Sequence, residues 1–473
     1  MDISIFGNLN LIAFFIPLIY SLYLFVSRLK KSYVNKNVLN SGTSLANLIS
    51  LIIFSLSYFF FPSGEILNCT IDFISINEYS FSFGFFTNET NLIFLIFSSF
   101  LCLLISLYSN IYFTKKKQFI FTKQRFYIFL SLLSSLTYIF LASVNLFQSM
   151  IVLFIQSITI LIFSYFDIFK NPTNYNITRF HRITHIGNFA LLIMILILFK
   201  YAIISQGYVS STSLNYNELN TLISYMYGIS SSFEFKFMMA TFILAIFSRL
   251  TIFPLSCYYS FFANSSNILY LCVISIANSL IGIFLFLKFL PLIKMFENHI
   301  LFFEIFIGIG ILFSILQILF EKNIKIIFGY LMASINALYI LLFLTLNNNL
   351  ILISYFGINI SLLLILMFLF MYDKTNFKKR IINKQLGFIL EKTHIILFEK
   401  IPSKLSNIIE IIYDKFIQNL LVPIIKLSNF LSSKLILKTI KTNAIKKIKN
   451  ILMIFALVAI LAIFIALFGG FKC

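Results

Sequence analysis

The residues able to do chemistry inside an apolar stretch are few, and they are cations and amides. In FILAIFSRLTIFPLS, Arg249 precedes Pro254 by five residues. Proline removes a helix hydrogen bond and frees a carbonyl, so this spacing predicts a broken helix with a cation beside the break. That is a recurring way to build an ion site at the middle of a membrane. An ionisable group at such depth is costly unless it faces a protein interior or water, which makes it a site candidate. The alternative reading is a guanidinium that snorkels to an interface or pairs with a neighbouring helix.

Lys325, in EKNIKIIFGY, reads either as a buried relay lysine or as a loop charge at a helix start, and Lys288 poses the same choice. Gln156 and Asn359 are polar within apolar runs but do not titrate. Together with Arg249 they form the set of proton-pathway candidates. His181, His185, His299 and His394 fall outside the run centres and read as surface or interfacial groups. No phosphate loop, GxGxxG, Ser-His-Asp spacing, HExxH or haem motif is present, so covalent catalysis is not expected. Cys69, Cys102, Cys257, Cys272 and Cys473 show no CxxC and no metal spacing, and they read as small apolar residues.

These side chains must be positioned by a membrane protein. Of 473 residues 60% are hydrophobic and 11% charged, with Phe 61 and Trp 0, and the mean hydropathy is +0.97. Disorder, collagen and a disulfide-rich secreted scaffold are excluded. Runs of about 20 apolar residues lie near 8–27, 43–62, 91–112, 126–145, 148–169, 186–206, 236–257, 267–290, 299–320, 326–346, 349–371 and 450–470. They lack the alternation of lipid-facing strands, so the fold class is an all-α polytopic membrane protein of about twelve spans. The start MDISIFGNLN has no basic n-region and reads as a retained first span.

The net charge of +20 does not point to nucleic acid, because its distribution follows membrane topology. With the amino terminus outside, one set of loops carries Arg28, Lys30, Lys31 and Lys36, then Lys115, Lys116, Lys117, Lys123 and Arg125, then Lys170, Arg179 and Arg182. The opposite loops hold Glu65, Asp72, Glu78 and Glu89, and later Glu218. Sixteen of the 36 basic residues lie between Tyr372 and Lys449, where Lys alternates with Ile and Leu at helical spacing. The division is therefore a bundle over 1–371, a basic amphipathic lateral segment over 372–449 and a terminal anchor over 450–473. The lateral segment suits anionic lipid headgroups or the flank of a larger assembly.

Several stretches resemble the antiporter-like proton-channel subunits of respiratory complex I (NADH:ubiquinone oxidoreductase), most of all mitochondrial subunit 5. The resemblance is carried by Tyr108-Ser109, Arg125-Phe126, Asn145-Leu146-Phe147-Gln148, Ser164-Tyr165 and the run from Ser248 to Pro254. It continues through Gly282, Lys288 and Pro291 to Asn323-Ile324-Lys325 with Tyr330, Ser334 and Asn336. It implies an antiporter-like fold with a broken seventh helix, a shortened second repeat, and a lateral helix followed by an anchor. It also implies other membrane-arm subunits and phospholipids as partners, and a mitochondrial inner membrane with the basic loops on the matrix side. No cofactor is expected on this chain, with NADH, FMN, iron–sulfur clusters and ubiquinone elsewhere in such a complex.

The departures bear on transport. The family's span-five glutamate falls on Phe154 or Ile158, its span-seven lysine on Arg249, its span-eight histidine near Ile274 and its span-eleven lysine near Asn359. The resemblance thus implies membership of a proton-pumping membrane arm, with this chain's own half-channel weakened or lost. Subunit 2 or 4 of the same complex and a stand-alone cation/proton antiporter are the alternatives; the last should keep an acid at depth, and none is visible.

Overall fold

The computed structural model describes residues 3–30, 36–60, 67–76, 79–115, 120–167, 174–204, 214–216, 219, 222, 233–252, 255–256, 262, 268–294, 297–321, 323–345 and 349–371. The lateral segment, the terminal anchor, Pro254, His299 and His394 lie outside the residues whose side chains are described. All described residues belong to one compact unit.

Water is missing from a bilayer core, so each apolar run must satisfy its own backbone, and a helix does this within one segment. The helices are α1 (Ile3–Leu29), α2 (Lys36–Phe60), α3 (Glu89–Lys115), α4 (Ile120–Leu141), α5 (Leu146–Asp167) and α6 (Asn174–Ile204). They continue as α7 (Phe233–Leu250), α8 (Ile268–Lys288), the short α9 (Leu290–Lys294), α10 (Glu297–Phe320), α11 (Ile324–Thr345) and α12 (Asn349–Met371). Each apolar run before residue 372 falls on one of these helices. Among the described residues eight helices are long and apolar enough to cross a membrane, and α10 and α12 contain shorter apolar stretches, Phe303–Leu319 and Ile351–Ile365. Apolar side chains such as Ile12 and Ile19 on α1, Ile52 on α2 and Leu312 on α10 are exposed on the outside of the bundle, as a lipid-facing surface requires.

The all-α expectation needs one correction. Residues expected as a polar loop form an antiparallel hairpin, β1 (Leu67–Ile76) and β2 (Tyr79–Thr87), with Cys69 opposite Phe85 and a bulge between Asp72 and Ile74. Its cause is a period of two: Phe81, Phe83 and Phe85 alternate with Ser80, Ser82 and Gly84. The acids of this segment obscured that alternation.

The hairpin is fastened to the turn between α4 and α5. The Phe86 amide donates to the Ala142 carbonyl at 2.7 Å, and the Gly84 amide donates to Gln148 Oε1 at 3.0 Å. Asn145 caps α5 by accepting the Gln148 amide at 2.7 Å. The Asn-Leu-Phe-Gln turn thus holds two elements with two amide side chains.

At the centre stands α8, which contacts α3, α4, α7 and α11. Every residue of it from Leu269 to Phe286 is buried inside the protein. Around it, α1 packs on α2 and α4, α5 lies between α4 and α6, and α6 packs on α7. On the other side α10 packs on α11, and α12 lies against α11 and α3.

Candidate functional site

The site forms where α7 ends. Leu250 is its last residue, and Thr251 takes the left-handed conformation at φ 55°. The Ile252 amide donates to the Phe247 carbonyl at 3.2 Å. This six-to-one bond closing over a left-handed residue is a Schellman ending. Glycine usually fills the left-handed position, and a β-branched residue there is strained. Thr251 Oγ1 answers locally by donating to the Leu250 carbonyl at 2.7 Å. Leu255 resumes with a bond to the Ile252 carbonyl at 2.8 Å.

Close approach of three helices frames this end. A Cβ on Gly187 of α6 would run into Ser248 Oγ, and one on Gly282 of α8 would run into the Leu250 side chain. Glycine at both positions lets the last turn of α7 press between α6 and α8.

Arg249 is held there with 3% of its surface exposed, so the snorkelling reading fails. Its guanidinium donates to Asn278 Oδ1 of α8 at 3.2 Å and Ser157 Oγ of α5 at 3.3 Å. It also donates to Asn188 Oδ1 of α6. Asn188 Nδ2 in turn donates to Ser157 Oγ at 2.8 Å. Among the described residues every acceptor around the charge is a neutral oxygen.

From the same turn a second chain of bonds runs the other way. Asn336 of α11 donates from Nδ2 to the Leu250 carbonyl and to Ser279 Oγ, both at 3.1 Å. Tyr355 of α12 donates its hydroxyl to Asn336 Oδ1 at 2.9 Å, and Asn359 Nδ2 donates to the Tyr355 carbonyl at 2.9 Å. A row of amides, hydroxyls and one guanidinium therefore spans the bundle from α12 to α5, and apart from Arg249 and the Tyr355 phenol none of its side chains titrates.

The predicted candidates divide accordingly. Arg249 and Asn359 belong to this row. Gln156 is buried beside it in sequence, but neither of its amide atoms has a partner; its neighbour Ser157 is the residue that reaches Arg249. Neither family glutamate position takes that place: Phe154 packs edge-on against Phe189 at 5.7 Å, and Ile158 is exposed. Lys325 lies at the start of α11, where its amide donates to Asn323 Oδ1 at 3.0 Å. Asn336 stands eleven residues further along that helix, about 16 Å away.

Lys288, the last residue of α8, sits over the rings of Phe86, Tyr216 and Phe284 at 5.5, 5.5 and 5.2 Å. It is a caged cation and not a member of the row. Tyr216 is fixed by its hydroxyl to Ser149 Oγ at 3.1 Å, and burial pushes its phenol up to about 12. The expectation of surface histidines fails for His181, which is buried; His185, one turn on, is half-buried. Both sit on α6, which begins twelve residues before its apolar run, so the polar start of that helix hid them. Cys102 and Cys272 are buried free thiols, as expected of core residues. Among the described residues no cluster of His, Cys, Asp or Glu is arranged to hold a metal.

The sequence matches no known family pattern and no curated protein. Its fold is similar to a chain of the structure described as respiratory complex I from Thermus thermophilus with bound NADH. The TM-score is 0.58 at 13% identity, over 76% of this chain and 71% of that one. At so low an identity the likeness is one of fold: a helical bundle of membrane-spanning character shared across three quarters of the chain.

Proposed function

We propose that this chain is a membrane-arm subunit of a complex I-type NADH:quinone oxidoreductase, of the antiporter-like kind and most like subunit 5. In this reading it has twelve spans, with α7 as the first half of a helix broken at Pro254. Residues 372–449 lie along neighbouring subunits on the matrix side, in the inner membrane of a mitochondrion. The shared fold and the ordered sequence resemblance support it. NADH, flavin, iron–sulfur clusters and quinone belong to other subunits, and this chain carries no redox centre.

One observation carries the more specific part of the reading: among the described residues Arg249 bonds only to Asn278, Ser157 and Asn188. The resemblance puts a lysine at Arg249 and its partner glutamate at Phe154 or Ile158. A lysine there can release a proton to an acid, whereas an arginine among amides keeps its charge. The row from Asn359 to Ser157 preserves the hydrogen-bonded connection and omits the groups that exchange protons. Its role is to hold the arm together and transmit displacement, while pumping falls to neighbouring subunits.

The assembly is tested by solubilising native membranes in mild detergent. The chain should migrate with NADH dehydrogenase activity, and migration alone overturns the reading. The degenerate channel is tested in assembled complex carrying Arg249→Gln or Lys325→Ala. The proton-to-electron ratio should stay at the parental value, and a fall in either variant with assembly intact shows a working channel.

A further inference from the structure

Among the described residues no carboxylate bonds to the cation at the end of α7, and the sequence of α5, α6 and α8, the helices that supply its partners, shows why. No Asp or Glu occurs in residues 90–166, 168–217, 235–296 or 322–372. These stretches include nearly all of α3 to α8, and all of α11 and α12. A guanidinium brings five N–H donors and a full charge, and an isolated buried charge is one of the most expensive features a fold can contain.

The neutral shell is already committed. Ser157 Oγ donates to the Leu153 carbonyl at 2.9 Å while accepting from Asn188 and Arg249. Asn188 uses both ends of its amide. Asn278 uses only its oxygen: its Nδ2 is buried, has no acceptor, and belongs to the same amide that receives the guanidinium. An unmatched donor therefore stands beside the cation. One unmatched donor and one positive charge, buried among neutral groups, lack a single thing, an acceptor carrying negative charge.

We propose that a small monovalent anion of the halide class binds between the Arg249 guanidinium and Asn278 Nδ2. Burial decides its source: Arg249, Ser157, Asn188 and Asn278 each expose 3% or less of their surface. A side chain from a neighbouring subunit cannot reach them, so the anion is a free ion taken up as the bundle closes. Water would satisfy the Asn278 amide without offsetting the charge. The proposal rests on this shell of side chains and not on the assembly to which the chain belongs.

The full chain is synthesised in a cell-free system directly into lipid nanodiscs, in potassium chloride, bromide or gluconate at equal ionic strength, so that the anion is present during folding. The expected result is a Tm higher in chloride and bromide than in gluconate, with a rise that saturates as halide increases. Arg249→Gln should remove that dependence. Asn278→Asp builds the negative charge into the site, and in gluconate it should match the parent in chloride and ignore added halide; it keeps the test decisive if Arg249→Gln does not fold. Equal Tm of the parent in all three salts overturns the proposal. So does a halide dependence that survives in Asn278→Asp, because the ion then binds elsewhere.

Discussion

Asn336 and Leu250 meet where α7 stops: the Asn336 amide donates to the Leu250 carbonyl at 3.1 Å, across 86 residues of sequence. A helix end leaves carbonyls without intrahelical partners. Here one is answered twice, by Asn336 from α11 and by Thr251 from its own turn. Through Tyr355 the same side chain also binds α12, so one amide couples three helices to the α7 terminus.

Replacing Asn336 with Leu removes three hydrogen bonds and leaves Tyr355 and Ser279 short of partners. An unsatisfied buried group costs about 1–3 kcal/mol, so chemical unfolding in detergent micelles should show a loss at the upper end of that range. Tyr355→Phe removes a single bond and should cost about 1 kcal/mol. Together with the double variant, these values give a coupling energy for the pair that is well above zero.

Thr251 separates strain from bonding. Thr251→Gly relieves the left-handed conformation and gives up the Oγ1 bond, two effects of about 1 kcal/mol each and of opposite sign. Its stability should therefore stay near that of the parent. Thr251→Val keeps the strain and loses the bond, so it should unfold at distinctly lower denaturant.

At Gly187 the expected effect is steric. A methyl group there meets Ser248 Oγ, and overpacking typically costs about 1–3 kcal/mol. Gly187→Ala should lower the Tm, and Ser248→Ala in the same chain should restore only part of the loss, because it removes the Oγ contact while Ser248 Cβ remains at 2.6 Å from the added methyl.

The Lys200–Glu234 pair, at 2.8 Å and half exposed, gives a pH test. The hydrogen bond from Lys200 holds the Glu234 carboxyl below its ordinary value, with Tyr201 adding to it. A group lowered in this way stabilises the fold at pH above its unfolded pKa, and the contribution fades as pH falls through the folded one. The stability difference between parent and Glu234→Gln should therefore be present at neutral pH, vanish in acid below the usual carboxylate range, and shrink with salt.

For the hairpin, amide hydrogen exchange offers a local readout. Gln148→Leu removes the acceptor of the Gly84 amide and should speed exchange there. The Phe86 amide, bonded to the Ala142 carbonyl, should remain protected.

The helices were legible because an apolar run of membrane length admits few other conformations. The hairpin was not, since a two-residue alternation broken by a bulge at Asp72 is a weaker signal. Arg249 stood out as a charge in an apolar run, but its partners did not. Ser157, Asn188 and Asn278 are common, uncharged residues on three different helices, and only the fold brings them together. Their one trace in the sequence is a polar residue set within a long apolar run, and Gln156 bears the same mark without joining them.

Burial of α8 on every side sets a condition on how the protein is made. Ser275, Asn278 and Ser279 all point into protein in the finished bundle, yet a nascent chain reaches this segment before α11 has been synthesised. Until α11 arrives, that flank of α8 must face lipid or an insertion factor. Truncated products ending shortly after residue 294 should therefore be held by the membrane-insertion machinery, and release should await the helices that close the ring.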